Sequence, residues 1–257
     1  MIFYEKPVAL NRERHRHLKL SSRLGRSGQS GQFGFARATN SVLMAASELN
    51  EASRDYPVVF VGNAGGPYML AGLVGLHDNE NLFVNADGHW KADAYIPAFV
   101  RRYPFVLADD GQGQLTVCID ESFPGLNEDE GEALFDDEGK DSSLLQGALE
   151  FLKLFHAEMQ RTGAFCARLA ELDLLVAKTI RVERNGKQEV LNGLYIVDEQ
   201  KLRDLTDAQV LELYRNGYLS WVYAHLHSLG NADRLARMQV ASVDAGLTIK
   251  KSSKKAG

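Results

Sequence analysis

The segment SSLLQGALEFLKLFHAEMQRT, residues 142–162, sets Leu145, Leu149, Leu152, Phe155 and Met159 three or four residues apart. That period winds one apolar stripe along a long helix, with Ser142 or Ser143 as its cap. Most of the stability of such a helix comes from packing the stripe, so the chain must provide a large apolar surface opposite it. The residues before it provide strands. YPVVFV (56–61), NLFV (81–84) and QLTVCID (114–120) are short runs rich in β-branched and aromatic residues, and NADGHW (85–90) is a turn. The pattern predicts an α+β fold, with a strand-rich N-terminal half packed on a mainly helical C-terminal half.

Local signals refine this outline. AFCARLAELDLL (164–175) prolongs the helix, and KTIRVERNGKQEVLNGLYIV (178–197) interrupts the helical half with a β-hairpin turning at Asn185-Gly186. DEQKLRDL starts a further helix; Thr206 and Gln209 form a capping box for the next one, which Gly217 ends. YLSWVYAHLHSLGN (218–231) is a last amphipathic helix stopped by Gly230. In the first half, Asn40–Asn50 reads as a helix buried through Val42, Ala45, Ala46 and Leu49, with Asn40 or Ser41 as its cap. SSRLGRSGQSGQ (21–32) reads as a flexible loop. The expected organisation is one domain: a β-rich half over 1–126, an acidic connecting loop over 127–141, a helical half over 142–240 with the hairpin 178–197, and a basic flexible tail over 241–257.

Charge narrows the function classes. The formal net charge of -5 argues against a nucleic-acid binder, so no specific nucleic acid is expected as a partner. The charge is uneven: residues 1–37 carry eight Lys and Arg against Glu5 and Glu13, whereas NEDEGEALFDDEGKD (127–141) is almost purely acidic and reads as a solvated loop. Cys118 and Cys166 lie in separate apolar contexts and read as two free thiols, which fits a reducing compartment. No apolar run approaches the roughly 18 to 20 residues of a membrane span, and the N-terminus has no signal-like apolar segment. The expectation is a soluble, cytoplasmic protein.

The familiar chemical motifs are missing or incomplete. VVFVGNAGGP lacks the spacing of a nucleotide-binding glycine loop and reads better as a hairpin connection. His15 and His17 sit among like charges. His225 and His227 would lie about 200° apart around a helix, too far to grip one ion. The acidic run lacks the ligand order of a calcium loop, and no nucleophile elbow occurs. No metal and no cofactor is expected. The densest cluster is ENLFVNADGHWKADAYIPAFVRRYPF (80–105), which gathers Trp90, Tyr95, Phe99, Tyr103 and Phe105 around Arg101-Arg102. Pro97 suits the start of a short helix that Pro104 stops. On it the two arginines are about 100° apart, so one faces inward. That arginine clamps a carboxylate or phosphate, stacks on a ring, or pairs with Asp93, Asp109, Asp110 or Asp120 and fastens the two halves together. The candidate ligand-binding residues are Trp90, Tyr95, Arg101, Arg102 and Tyr103.

PVALNRERHRHLKL, NSVLMAASELNEASRDYPVVFV, ENLFVNADGHWKADAYIPAFVRRYPFVLA, CIDE, LFDDEGKDSSLLQGALEFLKLF, GLYIVDEQKLRDL and YLSWVYAHLHSLGN, in this order, resemble the bacterial SapC family over about residues 4–240. YIPAFVRRYPF is the most specific part of the resemblance. The resemblance implies an association with a surface layer, from which the family takes its name, and gene neighbours that include TonB-dependent receptors and halogenase-like or cupin-like proteins. It implies no catalytic residues. The leading expectation is a non-catalytic accessory or binding protein that recognises a peptide, a small anion or a partner enzyme through the face from Trp90 to Tyr103. The alternatives are an oxidative enzyme or enzyme subunit acting on a peptide or amino acid, and a surface-layer structural protein. The sequence sets no oligomeric state.

Overall fold

The computed structural model describes residues 3–21, 33–109, 115–184 and 187–241. Residues 22–32 of the expected loop over 21–32, the turn pair Asn185-Gly186 and residues 242–257 of the tail over 241–257 lie outside the described residues.

Along the chain, β1 (Pro7–Ala9) and β2 (Lys19–Leu20) precede β3 (Ser41–Leu43), the short helix α1 (Leu49–Ala52), β4 (Val58–Val61) and β5 (Met69–Leu73). The single-turn helix α2 (Ala98–Arg101) leads into β6 (Phe105–Asp109), β7 (Leu115–Asp120), β8 (Leu126–Asn127) and β9 (Glu132–Ala133). The long helix α3 (Ser143–Glu171) follows, then the hairpin β10 (Leu175–Arg184) and β11 (Lys187–Val197). Helices α4 (Glu199–Arg203), α5 (Asp207–Arg215) and α6 (Tyr218–Ser228) come last, with further helix over 231–241. Strands lie mostly in the N-terminal half and helices dominate the C-terminal part, an α+β architecture. No helix among the described residues is long and apolar enough to cross a membrane.

The main sheet has the order β10-β11-β4-β5-β3, and all its pairings are antiparallel. β4 lies at its centre, and Val58, Val59 and Phe60 are buried. VVFV suits this place because a strand flanked on both edges and covered on both faces needs a continuous apolar run. GNAGGP is the β4–β5 hairpin connection, with Val61 opposite Met69. A second sheet, β1-β7-β6, pairs Phe105 with Ile119, and a third, β8-β2-β9, is made of two-residue strands.

Two apolar clusters fill the interior. One surrounds the main sheet and takes Phe155, Phe165, Cys166 and Leu169 from α3; the other surrounds β6 and β7 and takes Leu145 and Leu152. The helix, about 43 Å long at 1.5 Å per residue, therefore runs along both clusters. Ser142 caps it by accepting from the Leu145 N–H at 3.2 Å. Thr206 and Gln209 form the expected capping box, and Gly217, at φ 75°, makes the left-handed turn between α5 and α6 that a side chain would strain.

Three local expectations are corrected. Asn40–Asn50 is not one helix: Ser41–Leu43 pairs with β5, and a 3-10 turn over Ala46–Glu48 precedes α1. Val42, Ala45, Ala46 and Leu49 are all buried as expected, but a strand edge was available for the first of them, and pairing there overrode the helical period. NLFV (81–84) is a turn with one bridge, Val84 to Trp90, because the Asn81 side chain turns the backbone by accepting from the Phe83 N–H. The third helix ends at Glu171 rather than 175, with Asp173 at φ 54° beginning the reversal into β10.

The acidic run over 127–141 meets the basic N-terminal segment. β8 and β9 flank β2 on both sides, and Leu134 N–H donates to the Leu18 carbonyl at 3.0 Å. Arg12 pairs with Asp141 at 3.1 Å, while Arg16 and Lys19 donate to the carbonyls of Asp137 and Asp129. These contacts are exposed and weak singly, so strand pairing does most of the fastening.

Candidate anion-binding site

The segment from Trp90 to Phe105 is tied down at both ends by buried carboxylates. Glu48 accepts from the Ala98 N–H at 2.6 Å and the Tyr95 hydroxyl at 2.8 Å, with its other oxygen on the Ala45 N–H at 2.9 Å. Asp55 accepts from the Tyr95 N–H at 2.9 Å. Glu48 thus fills the N-terminal end of α2, which Pro97 opens in an extended conformation. At the far end, Asp120 is fully buried and accepts from the N–H groups of Glu5, Lys6 and Ser122 and from the hydroxyls of Ser122 and Tyr103. Burial alone would raise its pKa; the hydrogen bonds from Ser122, Glu5 and Lys6 outweigh burial and hold it below the usual carboxylate range.

Between these anchors the two arginines part. Arg101 is exposed, donates to the Ile96 carbonyl and the Tyr95 hydroxyl, and lies 5.2 Å from the centre of the Phe151 ring. Arg102 turns inward. Its guanidinium carbon is 4.1 Å from the Phe99 ring centre, 5.2 Å from Phe155 and 5.8 Å from Tyr4. Its Nε is buried without an acceptor, and no carboxylate pairs with it among the described residues. Burial lowers its pKa, partly offset by the nearby Tyr4 hydroxyl. The alternative expectation, an arginine fastened to an aspartate, is not met by Asp93 or Asp120; Asp110 lies outside the described residues.

Arg102 lines a slot of about 340 Å³ with Leu43, Phe99, Val106, Leu107, Leu152, Phe155, His156 and Met159. The walls come from both apolar clusters, so the slot opens at the seam where α3 passes from one to the other. His156, its other polar side chain, shares a 3.1 Å contact with Gln160.

Of the five residues expected to bind a ligand, the fold brings Arg102 alone to this slot. Tyr95 and Arg101 touch each other beside it. Trp90 is buried in the main core, where its indole N–H donates to the Tyr56 hydroxyl at 3.2 Å, and Tyr56 donates onward to the Tyr95 carbonyl. Tyr103 stacks on Phe35 at 4.0 Å and lines a separate depression of about 380 Å³ with Phe3, Arg37, Ser122 and Phe123. That depression is a poorer anion site although it is slightly larger, because Arg37 is already committed to the Asn85 and Ala86 carbonyls. Sequence reading missed Leu43, Leu107 and His156 as slot residues. Phe155 and Met159 were visible as part of the helical stripe, but no signal there joined them to Arg102.

The histidines have other roles. His225 is fully buried, with Nδ1 donating to the Val58 carbonyl at 2.9 Å and Nε2 accepting from the Val197 N–H at 3.1 Å, while His227 is exposed. His15 is buried against Glu121, which also pairs with Lys6 and Arg14. No group of three or more metal-ligating side chains is gathered among the described residues.

An α+β chain with an inward arginine in an apolar slot is thus the class defined by fold and site. The SapC family model matches residues 10–235, and the chain belongs to the SapC family. No curated protein and no solved structure matches it.

Proposed function

We propose that this SapC-family protein is a non-catalytic binding protein whose Arg102 slot receives the anionic group of a small molecule or peptide. One observation carries the reading: a half-buried guanidinium whose Nε–H is buried without an acceptor, with no carboxylate opposite among the described residues. Buried arginines are ordinarily paired, because an unpaired one forfeits hydration without return. The three nearby rings offset part of that cost through cation–π attraction, about 0.5–2 kcal/mol each, and the Tyr4 hydroxyl adds a polar contact, but Nε stays without an acceptor. A ligand carboxylate or phosphate would. The slot walls contain no acid and no nucleophile besides His156, which supports binding over catalysis.

The test is calorimetric titration of the full chain with simple carboxylates and inorganic phosphate, against the Arg102→Met variant. Binding that the substitution removes supports the reading. If every anion binds both proteins alike, or none binds, the reading fails.

A further inference from the structure

The chemistry of the slot walls narrows the ligand. We infer that the slot selects a monocarboxylate of roughly eleven non-hydrogen atoms in all, an aliphatic or aryl acid, over amino acids and phosphates. This rests on the reading that Arg102 takes an anion.

The first argument is polarity. Seven of the nine lining residues are apolar, and they come from β3, α2, β6 and α3, so apolar side chains face the space from every element that borders it. Beyond Arg102 the wall offers His156 and no acid. An α-amino acid would bring an ammonium group to this space with no carboxylate to receive it, and burying an unpaired charge costs several kcal/mol. A ligand chain without polar groups loses nothing there and gains from each buried methylene.

The second argument is donor supply. A phosphate dianion is held where several donors converge: backbone N–H groups at a helix start, or more than one cation. Here the start of α2 is already filled by Glu48, Arg101 is turned away onto Tyr95 and Ile96, and no lysine lines the slot. One guanidinium edge, with a ring 4.1 Å from its centre, fits a single planar carboxylate. The third argument is size. About 340 Å³ at about 30 Å³ per water-sized group holds roughly eleven non-hydrogen atoms, the scale of octanoate or 3-phenylpropionate.

The experiment is titration of the full chain with octanoate, 3-phenylpropionate, phenylalanine, octylamine and inorganic phosphate, each repeated with Arg102→Met. At least one of the two acids should bind and lose about tenfold or more in affinity in the variant. Phenylalanine, which adds only the ammonium group to the phenylpropionate frame, should bind at least about tenfold more weakly than that acid. Equal or tighter binding of phenylalanine overturns the inference, as does octylamine binding as well as octanoate. Arg102-dependent binding of phosphate without either acid overturns the ligand class while leaving the anion site standing. If no anion depends on Arg102, both proposals fall together.

Discussion

Arg102 and Phe99 lie three residues apart on one turn, and the guanidinium carbon stands 4.1 Å from the centre of the ring. Residues at this spacing share a helix face. The pairing holds the cation inside the seam between the two apolar clusters while leaving Nε without an acceptor. An arginine kept for stability alone would be expected to end on a carboxylate, and the buried Asp120 is instead taken by Tyr103, Ser122 and the N-terminal backbone.

Stability should therefore be nearly indifferent to Arg102. Methionine keeps favourable contacts with the rings and removes the desolvated charge, so Arg102→Met is expected within about 1 kcal/mol of the native chain. Phe99→Ala, which empties a buried ring position, should cost about 3–5 kcal/mol. Urea unfolding of the two variants decides it; a loss with Arg102→Met as large as that with Phe99→Ala would make the arginine structural.

Filling the slot should block binding without unfolding the chain. Met159 is half-buried on its wall, and Met159→Phe adds bulk toward open space rather than into packed core. Affinity for 3-phenylpropionate should fall about tenfold or more, with the melting temperature within about 3 °C of native. Calorimetry and a thermal melt read the two effects separately.

Asp120 should make the fold acid-sensitive. Its folded-state pKa is depressed, so the stability it contributes is present above the unfolded value of about 3.9 and is lost as pH falls through the folded value. Asp120→Asn cannot accept from every donor that surrounds the carboxylate, and should cost about 1–3 kcal/mol at pH 7. The cost should shrink as pH falls below about 3.9, where the carboxyl of the unfolded chain protonates while the folded one is still ionised. Denaturation midpoints measured from pH 7 to 3 test both statements.

His225 acts in a higher pH window. Burial lowers its pKa to about 4, against the opposing pull of the Val58 carbonyl. The unfolded chain takes up a proton near pH 6.5 that the folded chain refuses until about pH 4. Stability is therefore full above about 6.5 and falls by about 1.4 kcal/mol per pH unit between the two values. His225→Gln should flatten that slope while lowering stability at pH 7, because glutamine cannot reproduce both the bond to the Val58 carbonyl and the one from the Val197 N–H. Equilibrium unfolding at pH 7.5, 5.5 and 4.5 separates slope from offset.

Much of the secondary structure was legible because the signals are local. Ser142 caps the long helix and Thr206 and Gln209 cap α5, each through contacts within a few residues, and the β-branched run VVFV marks a buried strand by its composition alone. Asn40–Asn50 misled because four apolar residues at helical spacing are buried equally well by a strand followed by a turn of helix, and only the neighbouring β5 decides between them. The acidic run read as a solvated loop because its partner, β2, lies more than a hundred residues away.

The sequence by itself determined that no more than one arginine of the pair turns inward, since adjacent helical residues do not share a face. Only the tertiary structure decided that it is Arg102, and that the rings of Phe99, Phe155 and Tyr4 receive it. It also decided that the space beside it is walled by Leu43, Leu107 and Met159 from three distant elements. The reason is physical: hydrogen-bonded caps and periods are written within a turn or two of chain, whereas a cavity is the gap left where separately folded surfaces meet, and no residue carries its shape alone.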